Sequence, residues 1–103
     1  MLESVLSKNE IQIRLTLERW LHITETHSEM AGYYYEILET ISDPDAIYEG
    51  SNNEYIAIKR LIGEKHIFII YKEVSETDGF IITAFLSKKI NSLRNRRVIW
   101  NKL

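Results

Sequence analysis

The chain of 103 residues contains no cysteine, so it has neither a disulfide framework nor thiolate chemistry, and histidine is its only soft metal ligand. One proline and four glycines exclude a collagen-like chain, and 45% hydrophobic with 27% charged residues excludes a disordered one. No apolar run approaches the roughly 20 residues needed to span a bilayer. Met1-Leu2-Glu3-Ser4 lacks the basic and apolar regions of a secretory signal. These absences lead to the expectation of a cytoplasmic protein with no membrane partner. The length fits a single domain, 1–103.

Acid is missing from the last quarter. All 15 acidic groups lie within residues 1–79, beside seven basic ones, a balance of −8. Residues 80–103 carry six basic groups, Lys88, Lys89, Arg94, Arg96, Arg97 and Lys102, and no acid. A net charge of only −2 thus conceals a basic C-terminal segment, 87–103. Such a segment holds phosphates through its charge and through the forked hydrogen bonds of arginine. The alternative is a solvated end that pairs with the acidic body.

Common catalytic signatures are absent as well. There is no GxGxxG, no phosphate-cradling loop ending in Gly-Lys-Ser/Thr, no Gly-x-Ser-x-Gly and no His-Glu-x-x-His. His22 and His27 stand five apart on a predicted helix, which does not place them on one face, so no metal site is expected.

What is present reads as an α+β chain: an N-terminal strand and two helices followed by a four-stranded antiparallel β-sheet. Ile11-Gln12-Ile13-Arg14-Leu15 alternates with the period of a half-buried strand. Thr16 reads as the N-cap of a helix over 17–26, with Leu17, Trp20 and Leu21 facing inward. Ser28 caps a second helix whose stripe is Tyr34, Ile37, Leu38 and Ile41, and Ser42-Asp43-Pro44-Asp45 ends it. Strands over 46–49, 54–61, 66–71 and 80–86 follow, separated by turns at Gly50-Ser51-Asn52-Asn53, Gly63-Glu64 and Thr77-Asp78-Gly79. Val98-Ile99-Trp100 closes the chain as an anchor or an edge strand.

Several side chains could carry chemistry. His27 falls at the end of the first helix beside Glu29, which makes it a candidate for proton transfer, or a surface residue that helps to finish the helix. Lys59 shares a strand face with Tyr55 and Ala57, and Thr83 shares one with Ile81 and Phe85. With Ile56 and Ile58 turned to the helices, Lys59 points to the open face of the sheet, where a lysine and a hydroxyl suit a phosphodiester. Arg14 and Arg60 are further candidates for phosphate contact, equally explicable as exposed strand residues. Tyr33, Tyr34 and Tyr35 cannot all face inward, which leaves at least one ring for a base or a protein partner. Phe68, Phe80 and Phe85 read as core.

Arg14-Leu15-Thr16, Glu18-Arg19-Trp20-x-His22-Ile23, His27-x-Glu29-Met30, Leu38-x-x-Ile41 and Ile82-Thr83-Ala84 occur in an order that resembles the small BECR-fold proteins. That superfamily groups barnase, EndoU, colicin-type and RelE-like ribonucleases, and the pattern is most similar to the PBECR-type domains. The resemblance implies two helices before a four-stranded antiparallel sheet. It implies a ribonuclease, often a toxin or effector, that needs no metal or other cofactor and cleaves RNA by 2′-OH attack on the adjacent phosphate. It also implies a neutralising antitoxin or immunity protein as partner. Carried over by position, His27 moves protons, Thr83 sits near the scissile phosphate and Lys59 stabilises charge. The family's Arg-His-Pro-Glu is replaced by Thr26-His27-Ser28-Glu29, which removes a bidentate phosphate ligand and leaves Arg94, Arg96 and Arg97 as substitutes for RNA contact. The alternative is a catalytically inactive RNA- or protein-binding module on the same fold.

Overall fold

The structure, a computed structural model, describes residues 3–102. Two short strands, β1 (Glu3–Leu6) and β2 (Gln12–Leu15), form an antiparallel hairpin. The hydroxyl of Thr16 then accepts a hydrogen bond from the Arg19 N–H at 3.2 Å and opens α1 (Leu17–Thr26), as the sequence requires. In place of one long second helix, the chain makes a 3-10 turn over Ser28–Gly32 before α2 (Tyr34–Ser42). Gly32, a poor helix former, sits at that break.

Strands β3 (Ala46–Glu49), β4 (Tyr55–Arg60), β5 (His66–Glu73) and β6 (Gly79–Ser87) run as an antiparallel meander. A second 3-10 turn at Ile90–Leu93 leads to β7 (Val98–Asn101), which pairs with β3. The expected four-stranded antiparallel sheet is therefore incorrect. The sheet has seven strands in the order β1-β2-β6-β5-β4-β3-β7, and it is mixed, because β2 lies parallel to β6 through Ile13–Gly79 and Arg14–Phe80. The added strands come from the two ends of the described chain: β1 pairs locally with β2, whereas β2 and β7 pair with residues far away in sequence. The sheet is curled: Lys8, in the turn of the first hairpin, stands 4.8 Å from the ring centre of Trp100 on the opposite edge strand.

The helices pack on the inner face. Across three neighbouring strands the residues in register are Ala57, Ile69 and Ala84, all fully buried. Small residues on either side of one large one allow α2 to approach β4 and β5 closely. Ile23, Met30, Ile37 and Ile41 close that core from above. Leu17 and Leu21 do not belong to it; they are 48% and 51% exposed. The helix is rotated because Arg19 turns inward, where its Nη2 donates to the carbonyl of Ile82 at 2.8 Å.

The outer face has its own apolar cluster: Ala46, Ile56, Ile58, Phe68 and Leu93, with Ile70, Phe85 and Ile90 at its margin. Ile56 and Ile58 thus point away from the helices, opposite to the sequence expectation. Leu93, 3% exposed, pins the basic segment to this face. Burial of one leucine contributes roughly 1.5–3 kcal/mol, so residues 88–97 lie on the sheet as a fixed part of it.

Candidate functional site

His27 terminates α1, its N–H donating to the Ile23 carbonyl at 2.7 Å. Its half-buried ring packs on Phe85 at 5.6 Å between ring centres, with Nδ1 3.9 Å from the Glu29 carboxylate. Phe85 in turn stacks on Phe68 at 5.1 Å and 16°, so three rings step across the outer face from its rim. Phe68 is core as expected, whereas Phe85 and Phe80 are only half-buried.

Thr83 pairs with Ile70 and faces outward with Phe85. It does not share a face with Ile81. The ladder between β5 and β6 shifts register between Ile70 and Tyr71, and this irregularity leaves Ile81 on the inner side with Tyr71. Lys59 lies on the inner side of β4 with Ala57, on the opposite face from Thr83. Its Nζ donates to the Asp43 carbonyl at 2.8 Å and to the Asp43 carboxylate at 3.3 Å, closing the C-terminal end of α2. The open-face position expected for Lys59 is thus corrected, for the strand is turned over. The structure sets His27 against Phe85, puts Thr83 two residues from Phe85 on the same strand face, and places Lys59 elsewhere.

The arginines divide in the same way. Arg14 forms a fork on Asp78, with Nε–Oδ1 at 2.8 Å and Nη2–Oδ2 at 2.9 Å. The hydrogen bonding raises the Arg14 pKa and holds the Asp78 carboxyl below its usual range. Arg96 donates to the Glu49 carbonyl at 3.2 Å and to the Ser51 hydroxyl at 3.3 Å, which ties the turn between β3 and β4. Lys102 is 3.2 Å from Asp43 and 3.8 Å from Asp45. Lys88, Lys89, Arg94 and Arg97 are exposed, and among the described residues no carboxylate lies within 4 Å of them.

Tyr35, at 72% exposure, is the open ring of the tyrosine run. Tyr34 donates to Glu3 at 2.8 Å, and burial followed by that carboxylate pushes its phenol up to about 12. Sequence reasoning missed Arg19 as the anchor of α1, and it missed the stacking of Phe85 on Phe68. The alternation of Thr83 with Phe85 was the available signal for an outward aromatic. Among the described residues, no group of three or more His, Asp or Glu side chains could hold a metal ion, and no helix is long and apolar enough to cross a membrane.

No family model, no curated protein and no solved structure matches this chain.

Proposed function

We propose that the protein binds single-stranded RNA without cleaving it. Lys88, Lys89, Arg94 and Arg97 take the phosphate backbone, and the exposed edge of the His27–Phe85 pair offers ring surface to bases. The observation that carries this reading is the set of four cations without carboxylate partners on a segment whose Leu93 is seated on the outer face with Phe68 and Phe85. A basic track beside stacking rings suits a flexible polyanion whose bases are free. The acidic body supplies partners to Arg14, Lys59 and Lys102 and leaves these four to solvent.

A ribonuclease built on His27 and Thr83 is the second reading. One observation favours it: the half-buried imidazole lies beside a carboxylate and against Phe85, whose strand face also carries Thr83. The charge-stabilising role first given to Lys59 has no support in its position, because its ammonium is spent on Asp43.

The two readings part in one experiment. The parent protein and His27→Ala are incubated with an unstructured single-stranded RNA in EDTA, then passed over a filter at low salt. The binding module leaves the RNA intact in both cases and holds it less well in His27→Ala, which lacks one stacking ring, and Arg94→Glu with Arg97→Glu releases it. Cleavage by the parent that His27→Ala abolishes would replace the proposal with the nuclease.

A further inference from the structure

A groove at the end of the sheet where β4 turns into β5 meets the reading above only at Lys88. Its main cavity, about 670 Å³, is lined by Tyr33, Glu36, Arg60, Leu61, Ile62 and Lys65. Small-molecule sites span roughly 300–1,000 Å³. Two hollows of about 290 and 220 Å³ adjoin it, one through Lys65 and the other through Arg60, and these two hollows share Lys88. Each of the three cations therefore lines two cavities, while Glu36, Glu29 and Glu64 each line one. The positive groups stand on the shared ridges and the carboxylates lie around them. No carboxylate of the described residues comes within 4 Å of these cations, although three are close by. Arg60 spends its Nε on the Gly63 carbonyl at 3.3 Å, which leaves its two Nη groups.

Ile62, one of the lining residues, adds its exposure. At the tip of the β4–β5 turn it is 97% exposed, on the rim of the main cavity. The turn does not need it there: Gly63 at φ 75 reverses the chain, and the Leu61 N–H to Lys65 carbonyl bond, 2.8 Å, closes it. An isoleucine that contributes nothing to the core and stands beside a tyrosine-lined cavity is placed to cover an apolar surface that arrives from outside.

We propose that this groove binds a nucleoside phosphate. The phosphate sits among Arg60, Lys65 and Lys88, whose donors match its oxygens. The flat base occupies the part lined by Tyr33, Leu61 and Ile62. Glu36 accepts hydrogen bonds from ring N–H and amino groups, a pattern that favours guanine, whose edge offers two adjacent donors. The same chemistry is offered by a free nucleotide and by the 5′-phosphorylated end of an RNA. The site shares Lys88 with the RNA reading but uses neither Arg94, Arg97 nor the aromatic strip, so variants of Arg94 and Arg97 separate the two.

The test is an amide NMR titration of the whole protein with guanosine 5′-monophosphate, guanosine, inorganic phosphate and a short 5′-phosphorylated RNA. Saturable shifts at Tyr33, Leu61, Ile62 and Lys65 with the nucleotide, and weaker ones with guanosine or phosphate alone, are expected. Lys65→Glu and Ile62→Ser, both at exposed positions, should each weaken binding about tenfold with an unchanged melting temperature. Arg94→Glu with Arg97→Glu should leave nucleotide binding intact. In Arg94→Glu with Arg97→Glu, tighter binding of the 5′-phosphorylated RNA than of the free nucleotide assigns the source to RNA, and the reverse assigns it to the nucleotide pool. Absence of shifts in the groove, equal binding of phosphate alone, or undiminished affinity in Lys65→Glu overturns the proposal.

Discussion

If four cations of the basic segment hold RNA, the salt dependence of binding must count them. Lys88, Lys89, Arg94 and Arg97 are exposed and lack a carboxylate within 4 Å among the described residues. Each phosphate contact on a single strand contributes a slope of about −0.7 to log K against log salt. Four contacts give a slope of about −2.8, and raising salt from about 50 to about 200 mM lowers affinity roughly 50-fold. Arg97→Gln should flatten the slope by about 0.7, and Arg94→Gln by the same amount. Arg14→Gln should leave it unchanged, because that guanidinium is already forked on Asp78. Fluorescence anisotropy of a labelled RNA at several salt concentrations reads all three. A slope near zero, or an effect of Arg14→Gln equal to that of Arg97→Gln, refutes the assignment of these charges.

Two further outcomes follow from the packing and the ion pairs. Leu93→Ala removes the anchor of the basic segment from the outer face, which should cost about 2–5 kcal/mol in urea unfolding and weaken RNA binding even where the variant is fully folded; full affinity in the folded variant would show that the segment need not be pinned. Asp43 is held below the usual carboxylate range by hydrogen bonds first from Lys102 and then from Lys59. A depressed carboxyl stabilises the fold above its unfolded value of about 4, and that stability is lost as pH falls through the lower native value. Asp43→Asn should therefore reduce the acid loss of stability seen in urea midpoints, and identical acid profiles for parent and variant would show that the pair contributes nothing.

The elements carried by local pattern were legible. Thr16 marks the start of α1, and the alternation within β4, β5 and β6 marks the meander. What could not be read depends on distant pairing. β2 finds β6 through two residue pairs separated by most of the chain, and β7 finds β3 in the same long-range way. The facing of β4 was misjudged because both of its sides are apolar. Size decides it, since the helices need the small Ala57 beneath them and the larger Ile56 and Ile58 go outward. The same inversion carried Lys59 to Asp43 and removed it from the face that holds Phe85 and Thr83. Arg14 looked free in sequence because its partner, Asp78, arrives on the turn before β6, where β2 docks.

The parallel contact between β2 and β6 also orders events during synthesis. The first hairpin and α1 leave the ribosome early, yet the strand they must join begins at Gly79. At roughly 5–20 residues per second, the edge of β2 waits several seconds for its neighbour. Over that interval the hairpin has an open side that could pair with another nascent chain. Arg14 places a charge on that edge, and Asp78 neutralises it only when the correct strand arrives. The charge of Arg14 alone thus guards the edge before folding, and its ion pair with Asp78 latches the edge after it.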